Sequence, residues 1–222
     1  MSTFISFLTL KKESWTMQDE LLLSLLPPSR QVNVMNYTYE VDKRLSLYSV
    51  LLLSHMLQTH FHIIDGLQDI HWTRGKKPFL ASFPHIDFNY SHTRKAILCG
   101  VSSDGNIGID LEHCHKAPFE IMTSAFHPNE INYVKSFPSL EREHAFFEIW
   151  TRKEAYTKEK GTGLICDLTS INTLSAPNAF FQKWEQDSYI CTACQESRYP
   201  TTFQIVDEEI FISYTPHSKL CF

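Results

Sequence analysis

The sequence predicts an α+β protein. Segments that alternate apolar and polar residues, as half-buried strands do, are interleaved with segments whose apolar residues recur every three or four positions, as in helices. The order strand, long helix, strands occurs twice, with the long helices predicted over 41–60 and 140–160. At 222 residues the chain accommodates one compound domain or two small halves of roughly 100 residues, and no linker-like or low-complexity segment separates them. No residue-level identity relates the two parts, so the repeat rests on element order alone.

The first strand is predicted over 4–10. A polar stretch then leads to a helix over 20–26, which Pro27-Pro28 stops before the chain restarts. The helix over 41–60 carries Leu45, Leu47, Leu51, Leu52, Met56 and Leu57, and Lys43-Arg44 near its start offers a basic end to an anion. Residues 70–84 lack a helical period and read as a loop with a short strand. Strands over 88–92 and 96–101 form a hairpin, and Asp104-Gly105 turns the chain into a strand over 107–112, giving a small antiparallel meander. Helices follow over 119–125, 129–136 and 140–160, the last ended by Gly161. Strands are then predicted over 170–174, 178–184, 189–192, 203–206 and 210–214.

Composition is that of a soluble globular protein, 43% hydrophobic and 20% charged, and a formal charge of −5 excludes a non-specific nucleic-acid binder. Any polyanion must be met locally. Cys99, Cys114, Cys166, Cys191, Cys194 and Cys221 are too scattered for a small disulfide scaffold and fit reduced thiols in the cytoplasm. Cys191-Thr192-Ala193-Cys194 has no second pair to complete a zinc site, and His60-x-His62 and His113-x-His115 lack further ligands. No basic residue precedes the apolar start, Lys11-Lys12 follow it, and no run reaches the ~18 apolar residues of a membrane span. The ending Lys219-Leu220-Cys221-Phe222 lacks the prenylation spacing, so no membrane partner is expected.

Chemistry concentrates in two segments. In Asn106-Ile107-Gly108-Ile109-Asp110-Leu111-Glu112 the period of two puts the aliphatics on one face and both acids on the other. In the run from Trp150 to Lys158, Trp150, Glu154 and Lys158 recur at steps of four and share one helix face. Three carboxylates, Asp110, Glu112 and Glu154, suit Mg²⁺, which keeps several waters and completes its shell with substrate phosphates; Mn²⁺ suits the same set. Each segment also has a plain reading. Glu154 and Lys158 form an ordinary surface pair at a spacing of four, and Asp110 and Glu112 a solvated edge-strand face.

The motifs Gly75-Lys76-Lys77-Pro78, Phe88-Asn89-Tyr90-Ser91-His92-Thr93, Gly108-Ile109-Asp110-Leu111-Glu112 and Trp150-Thr151-Arg152-Lys153-Glu154-Ala155-Tyr156-Thr157-Lys158, closed by Gly161-x-Gly163, resemble in order and spacing those of the phosphopantetheinyl transferases. The match is to the larger, surfactin-synthetase-activating type. The resemblance implies two similar halves related by a pseudo-twofold, each a small, mainly antiparallel sheet packed with a long helix. The halves would span 1–105 and 106–222, the second carrying the metal site, with coenzyme A in the cleft between them. It further implies that Asp110, Glu112 and Glu154 hold Mg²⁺ and that Lys153 and Lys158 flank the phosphates. Lys77, Ser91 and His92 would meet the nucleotide part, and Arg44 its ribose phosphate.

The implied reaction moves 4'-phosphopantetheine from coenzyme A to a serine of an acyl or peptidyl carrier protein, releasing adenosine 3',5'-bisphosphate. Lys158 would offset charge on the transferred phosphate, and Glu130 or Glu154 would take the serine proton. A monomer follows from both halves lying in one chain. For the outer residues the structural alternatives are a solvated loop charge for Lys77, a helix start for Arg44 and a hydrogen-bonded strand histidine for His92. Glu130 also stands at a predicted helix start, where an acid is favoured by the dipole. The early basic segment of the family is reduced here to Arg30, with Lys43 and Arg44 as possible compensation. The alternative function is a non-catalytic coenzyme A or carrier-binding module. A magnesium-dependent nucleotide hydrolase is disfavoured because no GxxxxGK[ST] or GxGxxG loop is present.

Overall fold

Thr3–Thr9 forms β1, and in the computed structural model, which describes residues 2–64, 66–71, 77–162 and 167–212, this strand is interior to its sheet. The helices α1 (Met17–Leu23), α2 (Pro28–Met35) and α3 (Glu40–Phe61) follow. A short turn of helix, α4 (Gly66–Asp69), leads to a two-residue pairing of β2 (Ile70–His71) with β3 (Phe79–Leu80). Then come β4 (Asp87–Thr93), β5 (Ala96–Ser102) and β6 (Ile107–His113). Three helices follow: α5 (Met122–Ala125), α6 (Pro128–Ser136) and α7 (Arg142–Lys160). The chain closes with β7 (Phe180–Gln186), β8 (Tyr189–Gln195) and β9 (Thr201–Asp207).

Two sheets result. The first has the order β4-β5-β1-β9, and the second, β6-β8-β7, is wholly antiparallel. In the first, β1 runs antiparallel to β5, with Phe7 opposite Leu98, and parallel to β9, with Phe7 opposite Ile205. Alternation along β1 decides the layering. Leu8 joins Phe88, Val101 and the leucines of α3 in one core, while Ile5 and Phe7 face Ile107, Ile109, Leu111, Cys191 and Ala193 of the second sheet. The α7 helix covers the other side of that sheet, where Thr151 and Thr192 share a hydrogen bond of 2.8 Å. The layers are therefore helix, sheet, sheet, helix, and each sheet carries one long helix, in keeping with the α+β fold of two similar halves.

The predicted meander does not form. Gly105, at φ +118°, turns the chain away after β5, and β6 opens the second sheet instead. Both edges of β5 are already occupied, by β4 and β1, so a third neighbour has no ladder to join. The strand predicted over 170–174 is replaced by a 3₁₀ turn, Leu168–Ser170, whose start is capped by Asp167. Asp207 caps a second turn, Glu208–Phe211, in place of the strand predicted over 210–214, of which 213–214 lie outside the described residues. In both cases an aspartate accepts a backbone N–H two residues on and curls the chain. Pro28 does more than stop a helix: it occupies the first turn of α2, where its missing N–H costs nothing. Gly161 ends α7 at φ +66°.

Cys191 and Cys194 both lie on β8, where a separation of three turns their side chains to opposite faces. They are free thiols, as are Cys99 and Cys114. Gly75, Lys76, Gly163, Cys166 and 219–222 lie outside the described residues. Among those described, no helix is long and apolar enough to cross a membrane.

Candidate active site

Gly108 lets the site form. A Cβ built there would lie 1.9 Å from the Ala155 carbonyl oxygen and 2.3 Å from the Glu159 nitrogen, so α7 rests directly on the β6 backbone. Further along the pair, Asp110 and Glu112, on the same face of β6 as Gly108, meet the side of α7 that carries Trp150, Glu154 and Lys158. Trp150 is held by stacking on Phe146, with ring centroids 6.3 Å apart and planes within 6°.

Asp110 is 4% exposed and is the focus of the cluster. Its Oδ1 accepts from Lys158 Nζ at 2.6 Å and from Ser91 Oγ at 2.9 Å, and Lys158 also donates to Ser91 Oγ at 3.2 Å. Its Oδ2 is buried without a hydrogen-bond partner. Burial pushes the Glu112 carboxyl up to about 7; Asp110 adds to the rise, and a hydrogen bond with the Trp150 side chain opposes it. Burial and then Asp110 raise Glu154 too, while Lys158 opposes. Three acids therefore share one ammonium group. Among the described residues no three acidic, histidine or cysteine side chains converge as a ready-made metal site. Lys158 rests on Asp110 instead. The donor set still fits a divalent cation, because Asp110 keeps a buried oxygen unpartnered and the carboxyls of Glu112 and Glu154 beside it are raised by burial and then by its charge.

His92 follows Ser91 on β4. Its imidazole is held below the usual range first by burial and next by the charge of Lys158, with Asp42 opposing. Arg30 also acts on it, and donates to Ser46 Oγ at 3.1 Å. The structure thus brings Asp110, Glu112, Glu154, Lys158, Ser91 and His92 into one neighbourhood.

The other expected residues are engaged elsewhere. Lys153 and Glu130 form an ion pair of 2.8 Å in which the side chains are 1% and 0% exposed. Lys153 also donates to the carbonyls of Leu168 and Ile171. Glu130 accepts from the Thr173 N–H and hydroxyl on Oε1, and from the His127 N–H on Oε2, where it completes the capping box of α6. Arg44 is 2% exposed and bound to Asp19, Tyr48, Glu208 and the Lys12 carbonyl. Lys77 pairs with Asp87 and donates to the Ile107 carbonyl at 2.6 Å, at the starts of β4 and β6 and away from Asp110.

Comparison with known proteins places the chain. The model of the 4'-phosphopantetheinyl transferase superfamily matches residues 106–204, and that of the 4'-phosphopantetheinyl transferase N-terminal region matches residues 13–103. The chain belongs to the 4'-phosphopantetheinyl transferase superfamily, and within it is Sfp-like at moderate identity. It is 29% identical over 135 residues to the 4'-phosphopantetheinyl transferase psf-1 of Bacillus pumilus, covering 60% of this chain and 57% of that protein. To the 4'-phosphopantetheinyl transferase Sfp of Bacillus subtilis it is 24% identical over 157 residues, 70% of this chain and 69% of the relative. A third relative is the L-aminoadipate-semialdehyde dehydrogenase-phosphopantetheinyl transferase of Schizosaccharomyces pombe, 29% identical over 173 residues, 69% and 66% of the two chains.

Proposed function

We propose that this protein transfers 4'-phosphopantetheine from coenzyme A to a serine of an apo acyl or peptidyl carrier protein, leaving adenosine 3',5'-bisphosphate. The observation that carries this is Asp110, buried at the junction of the sheets with one oxygen on Lys158 and Ser91 and the other unpartnered. Asp110, Glu112 and Glu154 are the residues that would hold a divalent cation, Mg²⁺ or Mn²⁺. Its chemistry is to polarise the pyrophosphate and neutralise its charge. Lys158, whose side chain is 27% exposed, would meet the phosphoryl oxygens if a cation took its place at Asp110. Ser91 and His92 orient the phosphates and nucleotide from the β4 side.

The carrier serine oxygen bonds to the β-phosphorus as the bond to adenosine bisphosphate breaks. Phosphoryl transfer needs positioning and charge stabilisation more than covalent help. We assign the proton from the serine to Glu154, through an oxygen the cation would leave free, because the Glu130 oxygens are all occupied. Glu130 and Lys153 then serve as a brace between α6 and α7, and Arg44 as a brace for α3. Lys77 stands at the seam of β4 and β6.

We divide the halves at 105 and 106, the second carrying the acids. The opening of the second sheet by β6 supports this, although β9 returns to the first sheet. Free thiols and the presence of both sheets in one chain support a cytoplasmic monomer. The test is the mass of an apo carrier protein incubated with the protein, coenzyme A and Mg²⁺. A phosphopantetheine-sized gain is expected; coenzyme A binding with no gain on fatty-acid, polyketide or peptidyl carriers favours the non-catalytic binding module.

A further inference from the structure

Between β4 and β6 the two sheets meet edge to edge without a backbone ladder, because β4 ends one sheet and β6 ends the other. The N–H groups that β6 turns away from β8 would be left unpaired and buried there, at a cost of about 1–3 kcal/mol each. Side chains of β4 take two of them. Asp87 Oδ2 accepts from Ile107 N at 2.7 Å, and Asn89 Oδ1 accepts from Ile109 N at 3.2 Å. The next residue in this alternation is Ser91, which reaches Asp110 itself.

We propose that Asn89 is a positioning residue that sets the register of β6 against β4, so that Asp110 comes to Ser91 and Lys158. It is 9% exposed, and its Oδ1 accepts from the residue before Asp110. Pairing with β8 fixes β6 within its own sheet, with Asp110 opposite Thr192 and Ile107 opposite Gln195, whose side chain reaches Thr3 and Ser102 at the far end of the first sheet from Ser91. At the β4–β6 edge itself the bonds from β4 to the β6 backbone come from Asp87 and Asn89, beside the tie that Gln195 of β8 makes to Thr3 and Ser102. A shift there separates Ser91 from Asp110 even if each sheet stays intact. Asp87 is also paired with Lys77, whereas Asn89 is uncharged and acts through its carboxamide. The consequence for cation binding rests on the metal reading above; the register claim does not.

The test compares Asn89→Ala, which removes the acceptor, with Asn89→Asp, which keeps an oxygen in the same place. Amide exchange at Ile109 in the metal-free protein should quicken at least about tenfold in Asn89→Ala and recover in Asn89→Asp. Mn²⁺ affinity, titrated by electron paramagnetic resonance without carrier or coenzyme A, should fall about tenfold and recover in the same order. Unchanged Ile109 exchange overturns the proposal, as does lost protection with unchanged Mn²⁺ affinity. If the wild type takes up no Mn²⁺, the metal reading fails separately. A double-mutant cycle of Ser91→Ala and Asp110→Asn on melting temperature then decides: coupling that persists in the Asn89→Ala background overturns the register claim, and coupling that vanishes supports it.

Discussion

Lys158 Nζ lies 2.6 Å from Asp110 Oδ1, so the ammonium group neutralises the acid that stands first among the proposed cation ligands. The pair is part of the proposed site and only one step of it. An ammonium that balances Asp110 in the free protein would be free for the substrate phosphates if a cation took its place there. Lys158→Ala should therefore lower kcat about 10²–10³-fold while changing the carrier KM little, because the charge it meets develops in the transition state. Steady-state kinetics at saturating coenzyme A measures this.

The pH dependence of stability follows from Glu112, whose carboxyl is pushed up to about 7 by burial and Asp110. A carboxyl raised in the folded state binds more protons folded than unfolded between about pH 4.5 and 7. Its contribution is complete below the unfolded value and is lost as pH rises through 7. Calorimetry of the metal-free protein should show a melting temperature falling across that window, with Glu112→Gln flattening the fall. Added Mg²⁺ should stabilise more at pH 8 than at pH 5.5, since protons compete for the same oxygens.

Glu130 and Lys153 separate structure from chemistry. Lys153→Met leaves a buried carboxylate unpaired and should cost about 3–5 kcal/mol in denaturant unfolding. Glu130→Gln should lose stability but keep transfer activity per folded molecule within about tenfold, whereas Glu154→Gln should abolish transfer while folding normally. The reverse pattern assigns the base to Glu130.

Gly108→Ala places a methyl group where α7 touches β6, 1.9 Å from the Ala155 carbonyl. Backbone must shift to admit it, so a loss of about 1–3 kcal/mol or more is expected. Because the shift moves Glu154 and Lys158 away from Asp110, activity should fall further than the folded fraction measured by circular dichroism.

Local signals were legible in the sequence, and pairings between distant segments were not. The alternation through Ile107 to Glu112 placed both acids on one face, and steps of four placed Trp150, Glu154 and Lys158 on another, because each follows from the period of a single element. The partners of β6 could not be read, since Asp104-Gly105 marks a turn without saying which sheet the next strand joins. The same limit hid Lys153 with Glu130 and Arg44 with Asp19, whose members lie far apart in the chain. Asn89 stands two residues before Ser91 in the segment Phe88 to Thr93. Its alternation with Ser91 was the available signal, but the Ile109 N–H it meets is unpaired only because β4 and β6 end different sheets.

The most direct measurement follows both products at once: the mass of an apo carrier protein and the amount of adenosine 3',5'-bisphosphate, with and without Mg²⁺, beside Asp110→Ala. Equal molar formation of holo carrier and adenosine bisphosphate, abolished by removing either Mg²⁺ or the Asp110 carboxylate, is the predicted result. Transfer that persists undiminished in Asp110→Ala, or in the presence of a metal chelator, would contradict the account.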